Sequence, residues 1–268
     1  MNKTRIDALL GAIGGDIIGS PYEFRGVDAE HFTLFDSRCH YTDDTVLSIA
    51  VVDWLLHDGR DLQGKLIRYA RRYYWAGYGT RFSKWCMDED PQPYNSCGNG
   101  SAMRVSAVGC VAETVEEAME LAKESAMPTH NHPEGIKGAQ AIAVAVVLAR
   151  QGMTKEEMRA RLKELFDYDL DRTYLDLRHD GYSFNVICQT TVPEALISFF
   201  ESESYEDCIL KAVLTNKDTD TAAACAGAVA GAYYGLSDSM RKEILSRLPG
   251  DFVMAINKLE KQRLIRIE

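Results

Sequence analysis

Strand signals are scarce in this chain, proline is sparse, and no CxxC pair occurs. Only HFTLF at 31–35 and YSFNVI at 182–187 read as short strands, so a β-rich architecture is excluded and helical periodicity dominates. Seven cysteines (Cys39, Cys86, Cys97, Cys110, Cys188, Cys208, Cys225) are an odd set without metal-ligand spacing. Several fall in apolar helical stretches, which predicts reduced, buried thiols rather than a disulfide framework. Basic excess is absent too: 40 acidic residues against 30 Lys and Arg give a formal charge of −10. That balance excludes a surface that tracks nucleic-acid phosphates. No apolar run is long enough to span a bilayer, and Asp7 and Asp16 interrupt the one near the N-terminus. The chain reads as cytoplasmic, with no membrane partner. With no low-complexity linker, residues 1–268 are expected to form one domain, acting as a monomer.

Helices are predicted at 4–20 (Gly-rich and apolar), 42–57, 61–76, 114–127, 133–152, 154–166, 192–201, 204–214 and 239–247. Thr114 with Glu117 has a capping-box pattern. Residues 167–181 are the least regular. The expected fold is all-α, a compact orthogonal bundle of roughly a dozen helices.

Two segments carry more acid than a helix start needs. TDDT at 42–45 and DTDT at 218–221 each open a helix of small or apolar residues, about 175 positions apart. Either one alone reads first as an over-supplied N-cap favoured by the helix dipole. Together they point elsewhere: if both helix mouths meet, four carboxylates share one small volume and repel unless cations bind. Ligands that offer only oxygen favour Mg²⁺ or Mn²⁺ over Zn²⁺, and four carboxylates balance a pair of divalent ions roughly 3.5–4 Å apart.

These motifs resemble those of a known family. YTDDT, a Gly-Asn-Gly-Ser-Ala-Met-Arg segment at 98–104, Thr129-His130 before a proline, and DTDT before a small-residue helix occur in the order found in ADP-ribosylglycohydrolases, including those that activate dinitrogenase reductase. GAIGGDIIGSPYEF at 11–24 is similar to that family's opening helix and loop. The resemblance implies an all-α hydrolase with two Mg²⁺ (Mn²⁺ also serving) that cleaves the bond between ADP-ribose and an acceptor, the commonest acceptor among bacterial relatives being arginine. It implies Thr42, Asp43, Asp44, Asp218, Asp220 and Thr221 as metal ligands, and catalytic roles for Glu23, Asp44 and Asp220. It further implies that Gly98, Asn99, Gly100, Ser101, Met103 and His130 meet the ADP-ribose moiety of a modified protein or small molecule. Asn216-Lys217 departs from the glycines common before DTDT in the family.

By spacing alone the Gly98–Ser101 turn is as much a plain glycine loop as an anion cradle. Arg104 reads as structural, and His132 has weaker support than His130. Tyr22, Phe24 or Trp85 could stack on an adenine. Serine- or O-acetyl-linked ADP-ribose, or a non-catalytic ADP-ribose binder, are alternatives. A more distant one is an HD-type phosphohydrolase using His57-Asp58 and His179-Asp180, though it lacks the further histidines that chemistry needs.

Overall fold

A computed structural model describes residues 4–179 and 184–265. Fifteen α-helices make up the fold among these residues: α1 (Asp7–Gly19), α2 (Asp43–Leu56), α3 (Leu62–Arg72), α4 (Thr80–Met87), α5 (Gly100–Met103), α6 (Ser106–Val111), α7 (Val115–Ala126), α8 (Pro133–Arg150), α9 (Lys155–Phe166), α10 (Tyr174–His179), α11 (Cys188–Phe200), α12 (Tyr205–Val213), α13 (Thr219–Tyr234), α14 (Asp238–Ser246) and α15 (Gly250–Ile265). The all-α expectation holds.

The organising contact is α1 against α13. A Cβ on Gly11 would lie 2.2 Å from the Gly227 carbonyl oxygen, one on Gly15 2.1 Å from that of Ala223, and one on Gly19 2.5 Å from that of Thr219. The pairs run 11 to 227, 15 to 223 and 19 to 219, so the helices are antiparallel and their backbones touch. The small-residue composition follows from this approach, since any side chain at these positions would separate the axes. One consequence is positional: the C-terminal end of α1 meets the N-terminal mouth of α13. Helix α8, apolar and buried through its middle, packs against α13 from another side.

Both expected strands are corrections. Residues 31–35 form turns and bends, and 184–187 is extended with a single bridge, Gly98 to Ile187. Tyr182 and Ser183 lie outside the described residues. With no neighbouring edge to pair with, an extended stretch stays isolated. Helix α11 starts at Cys188 rather than 192, because Pro193 is accommodated inside it. Residues 94–109 carry two short helices broken at Arg104 and Val105. Helices α4, α10 and α15 were not foreseen. The capping box at Thr114 is half formed: Thr114 Oγ1 accepts from the Glu117 N–H at 3.1 Å, but the Glu117 carboxylate takes the N–H of Glu113. A complete box closes α9 at Thr154 and Glu157. All seven cysteines are free, and six are buried. No helix among the described residues is long and apolar enough to cross a membrane.

Candidate active site

The two acidic helix mouths converge. Thr221 Oγ1 donates to Asp44 Oδ2 at 3.2 Å, joining α13 to α2. Carboxylate oxygens of Glu23, Asp218 and Asp220 lie within 4.8 Å of one another. Glu23 reaches them because its turn is tied to the segment before α13, where the Phe24 N–H donates to the Lys217 carbonyl at 2.8 Å. Phe24 adopts a left-handed backbone (φ 63°), an uncommon conformation for a bulky residue that marks a constrained turn.

A further carboxylate completes the cluster. Asp16, within α1 and fully buried, accepts the N–H and hydroxyl of Thr42 (3.0 and 2.7 Å) and those of Thr45 (3.1 and 2.5 Å). It therefore caps α2 from outside and locks its mouth to α1. The signal in the sequence was an acid inside an otherwise apolar helix, which must find donors when buried. Asn99 plays a related part at α13, donating to Asp218 Oδ2 at 2.5 Å and to Thr191 Oγ1 at 3.0 Å. Asn216 accepts the Asp218 N–H through Oδ1 (2.9 Å) and donates to Glu194 Oε2 (2.8 Å). The Asp218 side chain makes no capping bond to the helix behind it and faces the cluster instead.

Burial, followed by mutual repulsion, raises the pKa of Asp43, Asp44 and Asp220 well above the carboxylate range. Asp16 and Asp218 are raised by burial even though hydrogen bonds oppose it. Glu23 is pushed up to about 7 by burial and by Asp218 and Asp16. Elsewhere the protein treats a buried carboxylate differently. Asp7, equally inaccessible, is held by both forks of Arg241 at 2.8 Å. No Lys, Arg or His pairs with any of the six cluster carboxylates among the described residues, and Asp44 Oδ1 is buried with no donor. The donor set therefore fits hard divalent cations: oxygen-only, acidic, and lacking a counter-charge from the protein.

The expected site residues fall into place unevenly. Asp44, Asp218, Asp220 and Thr221 are buried together, and Asp43 is half-buried beside them. The Thr42 hydroxyl faces Asp16. Met103 brings Sδ to 3.9 Å from Thr221 Oγ1. Ser101 turns its hydroxyl into the core, onto the Gly135 carbonyl at 2.6 Å. Gly98 and Gly100 pack on the His130 ring, where a Cβ on Gly100 would lie 3.1 Å from Nε2. Tyr22 is buried with its hydroxyl on the Thr33 backbone, and Trp85 is buried too. Phe24 is exposed, its ring 4.8 Å from that of Phe184. His57 sits at the end of α2 against Asp53, remote in kind from any histidine cluster, and Asp180 lies outside the described residues.

Residues 3–266 match the sequence model of the ADP-ribosylglycohydrolases. The chain belongs to that family. It is 28% identical to human ADP-ribosylhydrolase ARH3, the match covering 85% of this chain and 84% of that protein. It is also 28% identical to the ADP-ribosylarginine hydrolase Tri1 of Pseudomonas putida (strain GB-1), covering 86% and 70%. A solved structure described as an ADP-ribosylglycohydrolase-related protein complex superposes with a TM-score of 0.67 at 25% identity, covering 96% of this chain and 94% of that one. As an ADP-ribosylglycohydrolase, the protein is a hydrolase that removes ADP-ribose, and the acidic cluster at the α2 and α13 mouths is the place where the family's metal dependence would reside.

Proposed function

We propose that the protein hydrolyses the glycosidic bond between ADP-ribose and an arginine side chain, with two Mg²⁺ ions held by Asp43, Asp44, Asp218, Asp220, Thr42 and Thr221. One observation carries this reading: Glu23, Asp218 and Asp220 gather within 4.8 Å, Asp16, Asp43 and Asp44 repel the same cluster, no protein cation pairs with them among the described residues, and a buried oxygen of Asp44 lacks any donor. Bound ions would neutralise that charge and polarise the distal ribose as Lewis acids, with Mn²⁺ able to replace Mg²⁺.

The chain's own residues do the rest. The Gly98–Gly100 turn and His130 hold the ADP-ribose, fixing the anomeric carbon relative to the cluster; such orientation is worth several kcal/mol of barrier. Glu23, whose carboxylate lies within 4.8 Å of those of Asp218 and Asp220, takes the proton of the attacking water. Asp218 and Asp220 face the positive charge that develops on the sugar as the acceptor leaves. An arginine acceptor is in keeping with the activity named for Tri1. Release of free ADP-ribose from arginine-, serine- and O-acetyl-linked substrates, with and without EDTA, tests the proposal. Release from the arginine substrate that EDTA abolishes supports it. Release only from the other two reassigns the acceptor, and binding without release from any would mean a non-catalytic relative.

A further inference from the structure

Arg104 is completely buried, yet it has no carboxylate partner. Its Nη2 donates to the Ser125 carbonyl at 2.8 Å and to Thr129 Oγ1 at 2.9 Å. Thr129 Oγ1 in turn lies 2.7 Å from His130 Nδ1. A guanidinium can only donate, so Arg104 occupies a lone pair of the threonine oxygen. The hydroxyl hydrogen of Thr129, a residue with no accessible surface, then has one acceptor within reach, the Nδ1 of His130. The opposite arrangement, with Nδ1–H donating to the threonine, would leave a buried hydroxyl hydrogen unpaired at a cost of about 1–3 kcal/mol.

We propose that Arg104 and Thr129 are positioning residues that fix His130 as the tautomer with its proton on Nε2, aimed at the Gly98–Gly100 turn to donate to a phosphate or hydroxyl oxygen of the substrate. Nε2 has no partner among the described residues, and glycine at 98 and 100, where a Cβ would lie 3.5 and 3.1 Å from it, keeps side chains off that nitrogen. The ring is also kept neutral: burial lowers its pKa well below the usual value, and Arg104 and Arg81 act in the same direction. Tyr94, 6.2 Å from the ring, is the other titratable neighbour, and its own pKa is raised to about 12. A neutral donor distinguishes an oxygen acceptor from a cation without placing charge in the pocket.

The substrate side of this inference rests on the ADP-ribose reading; the tautomer does not. Two readouts separate them. Long-range ¹H–¹⁵N spectra of the protein alone report which His130 nitrogen carries the proton, and calorimetric titration reports ADP-ribose binding. Thr129→Val removes the hydroxyl at near-constant shape, and Thr129→Ser restores it. The expected result is an Nε2–H tautomer in the native protein and in T129S, a mixed or inverted tautomer in T129V, and ADP-ribose binding about tenfold weaker in T129V alone. A proton on Nδ1 in the native protein, or T129V binding as tightly as native, overturns the proposal. If the tautomer responds as stated but native protein fails to bind ADP-ribose, the relay stands and the substrate reading falls.

Discussion

Thr221 Oγ1 donates to Asp44 Oδ2 at 3.2 Å across 177 residues of chain. That bond leaves the other oxygen of Asp44 buried and without a donor. Asp44→Asn and Asp220→Asn should therefore abolish turnover while raising the melting temperature in EDTA, because each removes a repelled buried charge. Full activity in either variant would remove these residues from the site. Melting temperature and ADP-ribose release measured on the same preparations decide it.

Mg²⁺ should stabilise the native protein, since the cluster exists only when α2 and α13 are folded together. Ligand present at a hundred times its Kd contributes about 2.7 kcal/mol. A thermal-shift titration with Mg²⁺ and Mn²⁺ should show a rise in the native protein that is absent in D44N.

Asp16→Ala removes the acceptor for two backbone and two hydroxyl donors at once. The expected loss is about 2–4 kcal/mol in urea unfolding, accompanied by loss of the Mg²⁺ response. A variant with native stability would show that α2 is capped by something other than Asp16.

Gly15→Ala forces a methyl to within 2.1 Å of the Ala223 carbonyl oxygen, where backbone must move. It should cost about 3 kcal/mol or more and displace the mouth of α13. Gly250→Ala, with open space around it, should change stability by less than about 1 kcal/mol. Urea midpoints for the pair test whether the α1–α13 contact is as close as described.

Glu194 is raised from 4.5 to about 7, mainly by burial, with Asn216 and Arg172 opposing. The folded state thus holds its proton more tightly than the unfolded chain. Its stability contribution is full below pH 4.5 and is lost as pH rises through about 7. Glu194→Gln keeps an acceptor for Asn216 and removes the titration. Relative to native protein it should gain about 1–3 kcal/mol between pH 5 and pH 8. Parallel stability curves at the two pH values would refute the shift.

Much of this protein was written in local pattern. The period of apolar residues set the helical class, and doubled acid at two helix starts marked the site, because charge density and periodicity are properties of short segments. The order of the motifs placed the chain beside its family. What sequence could not supply was the identity of partners separated by long stretches of chain. Asp16 looked like an interruption in an apolar run until α1 met α2. Asn99, expected to meet the substrate, holds Asp218 from 119 residues away. The Ser101 hydroxyl finds its partner on α8, the Gly135 carbonyl 34 residues on. Hydrogen bonds act over about 3 Å, and only the packing of helices far apart in sequence brings these groups within that distance.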